Sequence, residues 1–204
     1  KPLVVSPVTF KPRFNPVATG PEAAVPAGEL PPQVDPRQMS LFGAAWTLAA
    51  YKYLAEGAVD SVTFFETTGW RGVVESDEGP AVPQKFLSIP RGVFPMYHFF
   101  ADVGEFAHGE VLRCVSTRPL AVNAVALRED SRTSVLMANL TAAKQSVRLT
   151  GTRALPQRLR LLDAGSADKA IRDPEAFRER WTQSFGEEEI SLPPFAYCRV
   201  DADG

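Results

Sequence analysis

The chain has 204 residues, 45% of them hydrophobic, and a formal net charge of -2. That is enough apolar material to bury a real core, and the scattered Lys and Arg residues form no basic stripe that could track a phosphate backbone, which argues against nucleic acid as a partner. No apolar run approaches the roughly 20 residues needed to span a bilayer, and residues 1–20 lack the apolar stretch of a signal peptide, so no membrane partner is expected and a cytoplasmic location is.

The chain enters a strand-like run at once, Leu3 to Phe14, without an initiator Met, as a C-terminal piece of a longer protein would. Residues 16–36 are rich in proline and read as a long loop. A helix is expected from Asp35, with Asp35 as cap, Pro36 at the first helical position and Gly57 closing the far end. Within it Met39, Phe42, Trp46, Ala49 and Tyr53 recur at helical spacing. A strand over Asp60–Glu66 follows, then a Pro- and Gly-rich loop near residues 71–93 and a second helix over Phe94–Phe106. Strand, loop, helix, twice over, is the order of two β/α units, with long segments after the strand ends; two units leave barrel edges open, and such edges predict association.

After Gly109 the texture changes to short alternating runs: Val111–Ser116, Leu120–Arg128, Thr133–Asn139, Gln145–Leu149, Arg158–Leu162 and Phe195–Asp201. These predict a meander of the sandwich kind, with a brief helix at Asp173-Pro174 inserted between late strands. The expected fold class is therefore α/β plus all-β: the last units of a TIM-type barrel over residues 1–108, then an antiparallel β-sandwich over residues 109–204. Cys114 and Cys198 both fall in apolar strands and read as buried free thiols, with a disulfide open only if those strands are neighbours.

Active sites of β/α barrels lie where strand turns to loop. Glu66 follows Phe64 and Phe65 at such a point and suits general acid or base work; the competing reading is an ion pair with Arg71 or Arg13. Arg13 offers fixed charge and planar donors to an oxyanion, or else a surface ion pair, and Asn15 one alternation on adds a neutral donor. Trp70 is either a platform for a sugar-like ring or rim packing, and Thr67 and Thr68 beside it complete the strand-end substrate set. His98, among aromatic residues, reads as a packing histidine. The sequence holds no HExxH, no paired-Cys motif, no Gly-rich phosphate loop and no GxSxG elbow, so neither metal nor cofactor is expected.

Three stretches carry a family resemblance: Phe10-Lys11-Pro12-Arg13-Phe14-Asn15-Pro16, Asp35-Pro36-Arg37-Gln38-Met39-Ser40-Leu41-Phe42-Gly43-Ala44-Ala45-Trp46-Thr47, and Ser61-Val62-Thr63-Phe64-Phe65-Glu66-Thr67-Thr68-Gly69-Trp70-Arg71-Gly72. Together with Phe94-Pro95-Met96-Tyr97-His98, Ala101 to Phe106 and Ser134 to Thr141, they resemble the C-terminal half of bacterial D-apionate lactonases. The resemblance implies a barrel related to clan A glycoside hydrolases with a β-sandwich appended, a small sugar-acid lactone as substrate, and the N-terminal remainder of the same protein as partner.

The penultimate strand ends in Arg13-Phe14-Asn15 where a glycosidase would carry a catalytic glutamate. A retaining glycosidase needs two carboxyls about 5 Å apart, and only one is offered here, so lactone opening is favoured. The expected roles are Glu66 activating water or relaying a proton, Arg13 and Asn15 stabilising the oxyanion, and Trp70 packing on the sugar acid. The alternatives are a glycoside hydrolase fragment and a non-catalytic carbohydrate-binding or structural module.

Overall fold

A computed structural model describes residues 1–14, 17, 19–20, 24–151, 158–183 and 189–203. The first unit begins with β1 (Val4–Val8), which pairs in parallel with β2 (Ser61–Phe64) in the register Val4↔Ser61, Val5↔Val62 and Val8↔Phe64. The register slips between Val5 and Val8, where Pro7 has no N–H to give to the ladder. A parallel pair needs a crossover, and α1 (Leu41–Glu56) supplies it.

The entry to α1 corrects one expectation. Asp35 does cap, accepting from the Arg37 backbone N–H, but it opens a 3-10 turn over Pro36–Met39; Ser40 caps the α-helix itself by accepting from Gly43. Only glycine suits position 43, because a Cβ there would lie 2.7 Å from the Arg37 carbonyl oxygen. The second helix, α2 (Met96–Gly104), is shorter at both ends than the apolar pattern of residues 94–106 suggests. Ala44, Phe65, Phe86, Phe94 and Met96 form one core between the β1–β2 pair, its loops and the helices.

The remaining strands form two layers. In one, β3 (Glu110–Leu112), β4 (Val122–Glu129), β5 (Arg132–Asn139), β7 (Arg158–Leu162), β8 (Thr182–Gln183) and β10 (Tyr197–Asp203) make an antiparallel sheet of order β3-β4-β5-β10-β7-β8. The other is a small pair, β6 (Gln145–Val147) and β9 (Ile190–Leu192). The expected simple meander is therefore incorrect: β10 inserts between β5 and β7, and β8 and β9 are additional strands too short for alternation to reveal. Two short helices follow β7, α3 (Ala167–Arg172), also unexpected, and α4 (Pro174–Arg178), capped by Asp173 as expected.

The larger sheet is covered on both faces. Met137, Cys198, Val200, Ile190 and Leu192 fill the space toward β6 and β9, and both cysteines are free thiols at this core, Cys114 at its edge. On the opposite face Val125, Leu136, Leu162 and Tyr197 pack against Ala45, Leu48 and Phe99 of the helices. The sheet and the β/α units thus share one core.

A charge network crosses that shared core. Asp102 of α2 is fully buried and meets Arg160, Arg178 and Arg199, while the Tyr197 hydroxyl donates to it at 2.7 Å. Arg160 and Arg199 stand directly opposite each other on β7 and β10, an arrangement that like charges disfavour unless an anion lies between them. Trp181 covers the cluster, with the Arg158, Arg160 and Arg199 guanidinium carbons 4.2, 4.5 and 5.3 Å from its ring centroid. Burial alone would push the Asp102 carboxyl up, but the three arginines outweigh it and hold it below the ordinary carboxylate value.

Candidate functional site

The strand-end region is built by a sharp turn after β2. Phe65 has φ of 38°, in the left-handed region that a bulky side chain rarely adopts, and its ring is buried beside Phe10 at a centroid distance of 5.8 Å. The turn ends the parallel pairing with a Phe65 N–H to Val8 carbonyl bond and delivers Glu66 to the strand terminus.

Residues 66–74 then fold back on themselves. The Glu66 N–H donates to the Arg71 carbonyl at 2.9 Å, Val73 and Val74 both donate to the Thr67 carbonyl, and Gly72 donates to Gly69. Gly69 takes the positive φ of 80° that this fold-back requires. The closure places Arg71 beside Glu66, Nη2 to Oε1 at 3.0 Å, with both side chains about one-third exposed.

Arg13 reaches the same carboxylate from the loop after β1. Its Nη2 donates to the Phe65 carbonyl at 2.9 Å and its Nε lies 3.9 Å from Glu66 Oε1. Two guanidinium groups thus share one carboxylate. The Nε atoms of Arg13 and Arg71 are both shielded from water and lack a hydrogen-bond partner among the described residues. Their side chains line a cavity of about 10 Å³ together with Lys11, Asp35, Gln38 and Phe65. Asp35 is bound on two edges by Arg37, Nε to Oδ1 at 2.9 Å and Nη2 to Oδ2 at 2.7 Å, and this pairing holds its carboxyl below the ordinary value.

Of the residues singled out from sequence, Glu66 and Arg13 come together, and the pairing of Glu66 with arginine is present as well, with Arg71 the closer partner. Thr67 and Thr68 are exposed beside them. Trp70 is half-buried and packs against the core that includes Phe65 and Phe94. Asn15 lies outside the described residues. An open cavity of about 530 Å³ adjoins the turn, lined by Val62, Phe64, Glu66, Thr67, Tyr97 and Phe100.

His98 is a core residue, as its aromatic neighbourhood indicates. Its Nε2 faces the Ala170 carbonyl at 3.1 Å, and burial lowers its pKa to about 4. Sequence reasoning passed over Glu75. It is buried and organises the loop beyond the site, accepting from the Ser76 N–H at 2.8 Å and from the Ser88 hydroxyl. In the sequence it stands beside Asp77 and Glu78, a local excess of acid that gives no sign of its burial. Among the described residues no three His, Cys, Asp or Glu side chains gather so as to hold a metal ion, and no helix is long and apolar enough to cross a membrane.

Residues 1–108 match the family model described as D-apionate lactonase, TIM barrel domain, and residues 119–200 match that described as D-apionate lactonase, C-terminal immunoglobulin-like domain. No curated protein matches the sequence. Among solved structures, a conserved exported protein from Bacteroides fragilis aligns with a TM-score of 0.56 at 11% identity, over 93% of this chain and 38% of the other. A GH30 endoxylanase from Clostridium papyrosolvens aligns at 0.53 and 10% identity, over 80% and 38%. A GH39 β-xylosidase from Caulobacter crescentus aligns at 0.51 and 15% identity, over 83% and 41%. The chain spans about two fifths of the length of these structures, and at such identities the likeness is one of fold.

Proposed function

The chain belongs to the D-apionate lactonase family, and from that premise we propose that it is the C-terminal part of a sugar-acid lactone hydrolase that opens D-apionolactone to D-apionate. In this reading β1 and β2 are the final strands of an eight-stranded barrel whose other strands come from the N-terminal remainder of the protein, and the two-layered β domain braces α1 and α2 from outside. The observation that carries it is the meeting of Arg13, Glu66 and Arg71 at the C-terminal ends of two parallel strands, the place where barrel enzymes act.

Glu66, one-third exposed, takes a proton from water as the water oxygen bonds to the lactone carbonyl carbon. The carbonyl electrons move onto oxygen, and Arg13 with Asn15 stabilises that oxyanion. Collapse breaks the bond to the ring oxygen, which receives the proton from Glu66 and leaves as the alcohol. Thr67, Thr68 and Trp70 hold the sugar skeleton. A glycosidase of the retaining type needs a second carboxylate about 5 Å from the first. The nearby loops offer Asp35, held by Arg37, and Glu75, held by Ser76 and Ser88.

The test is hydrolysis of D-apionolactone and related aldonolactones by the full-length protein and its Glu66→Gln variant. Activity lost by about a hundredfold or more in the variant supports the reading. Near-normal hydrolysis by Glu66→Gln removes the role of Glu66, and a full-length protein inert on lactones but active on aryl glycosides replaces the lactonase with a glycosidase.

A further inference from the structure

The roles above leave Arg71 and the surplus positive charge of the site unused. Arg13 and Arg71 face the single carboxylate of Glu66, Arg71 at 3.0 Å and Arg13 at 3.9 Å, so among the described residues two positive charges meet one negative charge here. Lys11 adds to the excess from the same cavity, its Nζ donating to the neutral Val34 carbonyl at 2.9 Å. Both Nε atoms also lack a hydrogen-bond partner among the described residues while shielded from water, an arrangement that is costly unless something accepts from them.

A guanidinium presents Nε–H and a neighbouring Nη–H along one edge, and a carboxylate fits such an edge with two parallel bonds, as Asp35 does on Arg37 a few residues away. Lactone opening turns a neutral ring ester into a carboxylate, an alcohol and a proton. The carbon whose oxyanion Arg13 stabilises becomes the carboxylate carbon. We propose that Arg71, together with Arg13, forms the receptor for the carboxylate of the ring-opened sugar acid, which makes Arg71 a product-binding residue that selects an aldonate over a neutral polyol. This rests on the lactonase reading for the identity of the acid, whereas the preference for an anion stands on the charges and unpaired donors alone.

The experiment is isothermal titration of the full-length protein with the sugar acid and with the neutral alditol of the same carbon skeleton, repeated on Arg71→Gln and Arg71→Lys, with circular dichroism confirming that each variant is folded. The expected result is a preference for the acid of roughly tenfold or more, the range of one charge-assisted bidentate contact. It should fall to near parity in Arg71→Gln and survive in part in Arg71→Lys, which keeps the charge without the fork. Equal binding of acid and alditol by the unaltered protein, or a preference undiminished in Arg71→Gln, overturns the proposal. Failure to open any lactone while the acid preference persists removes the reaction and leaves the anion receptor standing.

Discussion

Replacing Asp102 by Asn keeps the shape of the side chain and removes the charge on which the shared core depends. Arg199 has other anions, Asp201 at 2.7 Å and Glu105 at 2.7 Å, and Arg178 also reaches Glu105. Among the described residues Arg160 does not share that cover: its side chain is 3% exposed, its ion-pair partner is Asp102, and its other contacts are the Arg178 carbonyl and the Trp181 and Phe177 rings. Breaking a buried pair by deleting one partner costs roughly 3–5 kcal/mol, because a charge is left buried without its counterion. With an m-value of about 2–3 kcal/mol/M in urea, a loss of about 4 kcal/mol lowers the unfolding midpoint by about 1.5 M. The assay is urea unfolding of the chain followed by circular dichroism, for Asp102→Asn, Arg160→Met and the double variant. The double variant should be less destabilised than the sum of the singles by about 2 kcal/mol, since it removes both the anion and the cation stranded by its loss. A loss below about 1 kcal/mol in Asp102→Asn, or strict additivity in the cycle, would refute the view that the network is one coupled unit.

Acid should weaken the fold through His98. Its pKa falls from 6.5 to about 4 because burial excludes the charged form, so the unfolded chain binds a proton that the folded one refuses. Stability is complete above pH 6.5 and is lost as the pH falls toward 4, by about 2 kcal/mol at pH 5 and about 3 in all, at roughly 1.4 kcal/mol per pH unit. A melting temperature that is level between pH 7.5 and 5 contradicts this. Gly72→Ala should cost roughly 1–3 kcal/mol in urea unfolding and lower kcat/KM for lactone, because its Cβ would lie 2.7 Å from Thr67 backbone atoms in the turn that carries Arg71. Burial pushes the Cys198 thiol up to about 12, so a thiol reagent should label Cys198 only under denaturing conditions, and fast labelling of both cysteines in the native protein would show the core to be open.

The parts legible in the sequence were those whose determinants are local. The Asp35-Pro36 cap, the apolar rows of α1 and the alternation of β4 and β5 each lie within a few turns or residues of what they specify, and each element is present. Ser40 escaped notice as the cap of α1 because it sits inside an apolar pattern that continues through the 3-10 turn. The sheet order was not legible, since β10 finds β5 and β7 across about sixty and forty residues and its alternation suits several neighbours equally well. The charge network was missed for the same reason. Its one readable signal was an arginine at an inward position of an apolar strand, Arg160 between Leu159 and Leu161 and Arg199 between Cys198 and Val200. Strand-end logic pointed to Glu66, which follows β2, and to Arg13 at the end of a strand running to Phe14; β1 stops at Val8, so Arg13 comes from the loop beyond it, and Arg71 is brought to them by the fold-back of residues 66–74, which rests on backbone bonds that residue types alone do not announce.

The position of β10 has a consequence for biogenesis. It follows the other described strands in the chain, yet it sits in the middle of its sheet, joining β5 to β7. Until it emerges from the ribosome, β3-β4-β5 and β7-β8 are two separate ribbons with open edges, the state in which growing chains are most exposed to mispairing. The same strand brings Tyr197 and Arg199 to Asp102, which until then is a buried-to-be carboxylate on α2 without half of its partners. Completion of the sheet is therefore a late step for the nascent chain, and a ribosome paused before Tyr197 holds β/α units whose floor is β4 and β5 without the strand that joins β5 to β7.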